Sequence, residues 1–267
     1  MQCPQCTGKE FTKAGCNRHG HQVYRCRGCA RRMTTRSTSA FSGYRFPADV
    51  IALAVRWYVR FRLSYADVVE LLAERGITVD PSTVYDWVRA FTPRFIAAAR
   101  SHRSAVGHRW RVDETYLKIG GRWRYLYRAI DEHGQIVDVY LSERRNAAAA
   151  HTFFKQAIDA RGVTPTRITT GCPLGEAKSY PKALRSLLPN VEHRSSKYLN
   201  NGIERDHQHL KGRVRSMRHF KQIASANNFC QGHTLIRNLA RGHSALTATI
   251  QPRQRLVRAW AALTATL

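Results

Sequence analysis

Residues 108 to 142 restrict the fold more than any other stretch of the chain. Apolar and polar side chains alternate there in three runs, from Arg109 to Lys118, Trp123 to Asp131 and Ile136 to Leu141. Gly120-Gly121 and His133-Gly134 stand between the runs as turn signals. A period of two buries one face of a strand, and short glycine turns join neighbours, so three antiparallel strands are expected. A helix over about 147–160 follows, then a short apolar strand at 167–170, a helix over 181–188, a strand fragment at 191–194 and a long helix from near Asn200.

Three strands, helix, strand, helix, strand, helix is the order of an α/β ribonuclease-H-like fold, a mixed sheet with helices on both faces. Asp113 falls in the middle of its first strand, flanked by Trp110, Val112 and Tyr116, while Glu114 must point to the opposite face. A carboxylate in an apolar strand is costly without a compensating cation, and a metal ion is the simplest one. The bland alternative is an edge-strand acid facing water. Farther on, Glu204, His207, Gln208 and Lys211 share one helical stripe. Such a stripe suits a metal and the phosphate beside it, although a solvated helix face has the same pattern.

The first 40 residues hold five of the seven cysteines and show little apolar periodicity. Cys3-Pro-Gln-Cys6 and Cys26-Arg-Gly-Cys29 have the spacing of two zinc knuckles, whose four thiolates close a tetrahedron around a structural Zn²⁺. A redox-active pair is the competing reading. Cys16, His19 and His21 lie between the knuckles as substitute ligands or, in the preferred reading, as parts of a hairpin tip. Paired thiols of this kind fit a reducing compartment.

From Pro47 the period becomes helical. Ser64 and Asp67 suit a helix start, Gly76-Ile77 a break, and Asp80-Pro81-Ser82-Thr83 a second start, giving a helix-turn-helix. In that motif the second helix enters the major groove by its N-terminal side chains, here Ser82, Thr83, Tyr85 and Asp86. Forty-four Lys and Arg against eighteen Asp and Glu give a net charge of +26 on a chain of ordinary hydrophobic content. Charge on that scale, carried by a folded body, calls for a polyanionic partner. No run is apolar and long enough for a membrane span, and the start lacks a secretory pattern. The expected location is cytoplasmic, at the nucleoid.

Four segments together resemble a known family: Trp110-Arg-Val-Asp-Glu-Thr-Tyr116, Gly121-Arg-Trp-Arg-Tyr-Leu-Tyr-Arg-Ala-Ile-Asp131, Val191-Glu-His-Arg194 and Lys197-Tyr-Leu-Asn-Asn-Gly-Ile-Glu-Arg-Asp-His207. They are similar to bacterial insertion-sequence transposases of the sixth IS family, over about residues 45 to 246. The resemblance implies a DDE recombinase with a ribonuclease-H-like core. In it three acids hold two Mg²⁺ ions, double-stranded DNA is cut at terminal inverted repeats, and the freed 3′ hydroxyl attacks target DNA. Asp113 carries over as the first acid, Glu204 as the last, and Lys211 as the contact to the terminal phosphate. Asp131, Asp138, Glu192 and Asp206 are assigned structural roles. Joining two ends implies a homodimer or a larger synaptic assembly.

The middle acid does not carry over. Relatives have Thr-Thr-Asp shortly before Tyr-Pro, whereas this chain has Thr169-Thr170-Gly171, then residues up to Tyr180-Pro181, with Glu176 as the only carboxylate between. Gly171, or Gly175 counted back from Tyr180, occupies the place of the Asp. Glu176 is the substitute candidate. The expected organisation is a zinc ribbon (1–40), a helix-turn-helix region (45–103), a transposase core (107–246) and a C-terminal helix (247–267). Leu256, Trp260, Leu263 and Leu267 on that helix form either a dimer stripe or, as preferred, a face packed on the core. The alternative function is an inactive relative that only binds transposon ends. A zinc-ribbon component of transcription or translation explains the charge but leaves Asp113 and Glu204 without a role.

Overall fold

A computed structural model describes residues 1–17, 22–34, 37, 39–171, 179–196, 198–217 and 219–267. At the N-terminus β1 (Phe11–Cys16), β2 (Gln22–Cys26) and β3 (Arg32–Met33) form a small antiparallel sheet in the order β1-β2-β3. Its buried side chains are few, chiefly Cys3, Val23, Cys26 and Met33. That is too little apolar surface to hold a fold by itself.

Three helices follow, α1 (Ala48–Arg60), α2 (Tyr65–Ala73) and α3 (Pro81–Ala98). The start of α2 is fixed by a reciprocal capping box. The Ser64 hydroxyl accepts from Asp67 N at 3.1 Å, and the Asp67 carboxylate accepts from Ser64 N at 2.7 Å. Pro81 opens α3 at the position where a missing N–H costs nothing.

The central sheet comprises β4 (Arg109–Ile119), β5 (Arg122–Ile130), β6 (Ile136–Ser142), β7 (Arg167–Thr170) and β8 (Glu192–Ser195), in the order β6-β5-β4-β7-β8. Gly120 and Gly121 take φ of +55° and +79°, the left-handed pair a two-residue hairpin turn requires, so β5 folds directly back along β4. β7 then runs parallel to β4, and β8 parallel to β7. This is the mixed sheet of a ribonuclease-H-like fold.

One face of the sheet is covered by α4 (Ala147–Arg161) and α5 (Ser179–Leu187), which bury Phe153, Phe154, Tyr180 and Leu184 against Trp110, Val112, Tyr127 and Ala129. The other face carries α6 (Asn201–Ser216) and α7 (Ile223–Arg241). There Leu117, Leu126 and Ile130 join Ile203, Leu210 and Ile236 in a cluster that continues through Val59 of α1 and Phe91 of α3. The helical region and the sheet therefore share one apolar core.

The structure adds α7 to the elements expected from the sequence. Phe229, Cys230, His233, Ile236 and Leu239 form its buried side at helical spacing, with a cysteine and a histidine taking places usually held by apolar residues. The last helix, α8 (Arg255–Thr266), packs inward. Trp260 stacks on Phe95 with centroids 4.1 Å apart, and its indole N–H donates to the Ala52 carbonyl at 2.9 Å.

Candidate active site

Alternation along β4 separates the two neighbouring carboxylates. Trp110, Val112 and Glu114 face α4 and α5, whereas Asp113, Leu117 and Ile119 face the side of α6. Glu114 is buried and fully engaged, paired with the Arg145 guanidinium and accepting the hydrogen of the Tyr180 hydroxyl. Each of its two oxygens thus already has a partner on the α4 and α5 side of the sheet.

Asp113 is different. Its Oδ2 lies 3.7 Å from Nδ1 of His207, and Glu204, one turn earlier on α6, is near enough to act on it electrostatically. Burial, then the Glu114 carboxylate and then that of Glu204 push the Asp113 carboxyl up to about 7. His207 is buried, and burial together with Arg128 and Lys211 pushes it down to about 3, so its imidazole is neutral. Glu204 and Lys211 are exposed. The stripe read from the sequence thus brings an acid, a neutral imidazole and a cation to the Asp113 side of the sheet.

The position of α6 is set by a residue of the same helix. Asp206 is fully buried and accepts from Arg128 of β5 and from Arg237 and Arg241 of α7. Burial alone would raise its carboxyl, but Arg128, Arg241 and Arg237 outweigh that and hold it well below the usual aspartate range. The sequence marks Asp206 as structural but gives no sign of three arginines converging from two other elements. The remaining acids assigned structural roles also have partners. Asp131 accepts from the backbone N–H groups of Gly107, His133 and Gln135, Asp138 from Gln156, and Glu192 from Arg167 and Arg194.

The third position sits on β7. Thr170 pairs with Val112, so Gly171 stands level with Asp113 on the neighbouring strand. An acid at 171 would share a face with Asp113; glycine offers no ligand. A Cβ built there would meet Nδ2 of Asn200 at 2.7 Å. Asn200 is buried and donates to the Val112 carbonyl at 3.3 Å, and its own Oδ1 has no partner among the described residues. Glu176 and Gly175 lie outside the described residues.

Two hard carboxylate oxygens whose charges repel each other suit a shared divalent cation. Asp113 on β4 and Glu204 on α6 are the two acids expected to meet it, and glycine at 171 adds no side-chain ligand. At the other end of the chain, the Sγ atoms of Cys3, Cys6, Cys26 and Cys29 lie within 4.8 Å of one another, a cluster suited to a tetrahedral thiolate-bound metal. On α3, Ser82 is exposed, Thr83 is half-buried, and Tyr85 is half-buried with its ring edge-on to Tyr65 at 5.7 Å. Sequence reasoning missed Arg145, Asn200 and Arg128. Their roles come from pairings across the sheet and between helices, for which local patterning carries no signal.

The order and direction of these strands and helices are those of the ribonuclease-H-like fold on which polynucleotidyl transferases are built. A DDE-domain family model of IS240-type transposases matches residues 107–243. The transposase of the IS431mec insertion sequence-like element of Staphylococcus aureus is 41% identical over 189 residues, covering 70% of this chain and 82% of the relative. That of IS257 in transposon Tn4003, also from S. aureus, is 40% identical over the same length and coverage. Among solved structures, the HTLV-2 integrase catalytic core in complex with magnesium aligns over 51% of this chain and 90% of its own, with 18% identity and a TM-score of 0.39. A simian T-cell lymphotropic virus intasome aligns over 76% of this chain and 72% of its own, at 14% identity and a TM-score of 0.40. The chain belongs to the IS6 family of insertion-sequence DDE transposases. Among the described residues no helix is long and apolar enough to cross a membrane.

Proposed function

We propose that this transposase binds the terminal inverted repeats of its element as double-stranded DNA and cuts them at a site built on Asp113 and Glu204. The reading is supported by the placement of Asp113 on β4, with its Oδ2 3.7 Å from Nδ1 of His207, one turn beyond Glu204 on α6. Asp113 and Glu204 are the residues to hold Mg²⁺. Held there, a divalent ion would supply an activated water and charge stabilisation for an in-line displacement. Lys211, seven residues beyond Glu204 on α6, orients the terminal phosphate. The neutral His207 packs behind Asp113 and supports its orientation.

Ser82, Thr83 and Tyr85 at the start of α3 are assigned to the major groove, with the N-terminal ribbon touching phosphates nearby. The four-cysteine cluster is assigned a structural Zn²⁺, since four thiolates leave no open position for chemistry. A homodimer or larger assembly would hold two ends together. A second reading, a copy that occupies transposon ends without cutting them, is favoured by one observation, the glycine at 171.

The experiment is strand cleavage of a labelled transposon-end duplex by the purified protein with Mg²⁺. Nicking by the wild type, lost in Asp113→Ala and in Glu204→Ala, is the expected result. Equal inertness of all three, with DNA binding retained, would replace the cutting reading with the binding one.

A further inference from the structure

The tip of the β4–β5 hairpin carries an aromatic surface that the roles above leave unexplained. Trp123 is 60% exposed and Tyr116 43% exposed, values unusual for large rings on a sheet. Tyr116 and Tyr125 face each other across the two strands, with ring centroids 5.4 Å apart. The Tyr116 hydroxyl accepts from Arg145 at 3.3 Å, which fixes one edge of this surface. Together with α6, the rings enclose a cleft of about 570 Å³ whose cationic walls are Lys118, Lys211 and Arg215.

Three features identify what such a cleft takes. Among the described residues its lining carries the cations Lys118, Lys211 and Arg215 and no carboxylate. Lys211 belongs both to the cleft and to the α6 stripe that begins at Glu204. His219, on the cleft rim, also borders a second groove that reaches Tyr85 and Arg89 of α3. The groove on α3 and the cleft thus meet at His219, and Lys211 ties the cleft to the α6 stripe that begins at Glu204. A second copy of this chain fits poorly, because it would bring a net +26 against these cations.

We propose that the β4–β5 hairpin and α6 form a binding site for unpaired nucleotides next to the cut phosphate, with Trp123 as the ring on which a base stacks. Exposed aromatic rings beside cations are the recognition device for single strands, because every base offers a π-face while the cations follow the backbone. The inference rests on the reading of this protein as acting on transposon-end DNA. It adds that the end is held with bases out of the duplex stack.

The test uses the full-length protein and two fluorescent probes, a blunt transposon-end duplex and the same duplex with five unpaired nucleotides on one strand. Trp123→Ala should weaken binding of the tailed probe roughly 5- to 100-fold, the range for losing one base–aromatic stack. Blunt-duplex affinity should stay within about twofold, and the dependence of binding on salt should be unchanged, because no phosphate contact is removed. Trp123→Phe should recover most of the loss. A 2-aminopurine in the tail should be quenched by the wild type and far less by Trp123→Ala.

Equal losses on both probes, an undiminished affinity for the tailed probe, or failure of phenylalanine to rescue would each overturn the proposal. So would a loss of self-association in sedimentation with tailed-probe binding intact, since the surface would then be a protein interface. If the wild type bound neither probe, the transposon-end reading would fall, and this inference with it.

Discussion

The Asn200 side-chain nitrogen stands 2.7 Å from where a Cβ on Gly171 would be, so the amide fills the space beside the position of the missing acid. The contact is with the outer end of a side chain, which can rotate, but Asn200 is buried and would give up its bond to the Val112 carbonyl. Gly171→Ala should therefore lower stability by about 1–2 kcal/mol through crowding alone. Gly171→Asp should show a similar loss in urea denaturation and, unlike the alanine variant, increase Mg²⁺-dependent nicking of a transposon end. Equal nicking by the two variants would mean that a ligand at this position is not what limits the reaction.

Removing the buried anion beneath α6 should cost far more. Asp206→Ala leaves Arg128, 1% exposed on β5, without its counter-charge and takes from Arg237 and Arg241 their common acceptor. Breaking one side of a buried ion pair typically costs about 3–5 kcal/mol. Denaturant midpoints should fall accordingly. A loss below about 1 kcal/mol would show that the arginines find water when the carboxylate is gone.

These two sites mark where the sequence is informative. Asp113 is visible because strand alternation puts a charge where a strand should bury an apolar side chain, and Glu204 because its helix repeats chemistry at three- and four-residue steps. Turn glycines and the capping residues at 64 and 67 announce themselves through local backbone demands. Arg128, Asn200 and Arg145 do not. Arg128 lies directly across from Asp113 in the β4–β5 register yet turns to Asp206, 78 residues away in the chain, a partner no spacing rule reaches.

A half-buried aspartate on the far edge strand gives a pH-dependent prediction. Burial raises the Asp138 carboxyl above the usual range, with Gln156, Arg161 and Arg103 only partly offsetting it. The folded chain thus holds this proton to higher pH than the unfolded chain does. Its contribution to stability is greatest at acid pH and declines as pH rises from the ordinary aspartate range through the folded value. Asp138→Asn keeps an oxygen for the Gln156 amide, which donates at 2.7 Å, and carries no charge to bury. Its stability relative to wild type should improve as pH rises through that window and the two should converge in acid. Parallel stability curves would refute the burial argument.

The cysteine cluster tests how the chain's smallest sheet is held together. β1, β2 and β3 bury few apolar side chains, and Cys3 and Cys26 are among them, so cross-linking through four sulfurs is the main candidate for keeping the strands in place. Metal analysis should find one zinc per chain, lost in Cys26→Ser and on treatment with a strong chelator. The shared core of α1, α3, α7 and the central sheet does not include these strands, so the main thermal transition should move by no more than a few degrees. Arg25, Arg27, Arg31 and Arg32 are exposed on the ribbon, so if it contacts DNA, affinity should fall and depend less steeply on salt once it unfolds. A zinc-free variant with an unchanged salt slope would remove the ribbon from the DNA-binding surface.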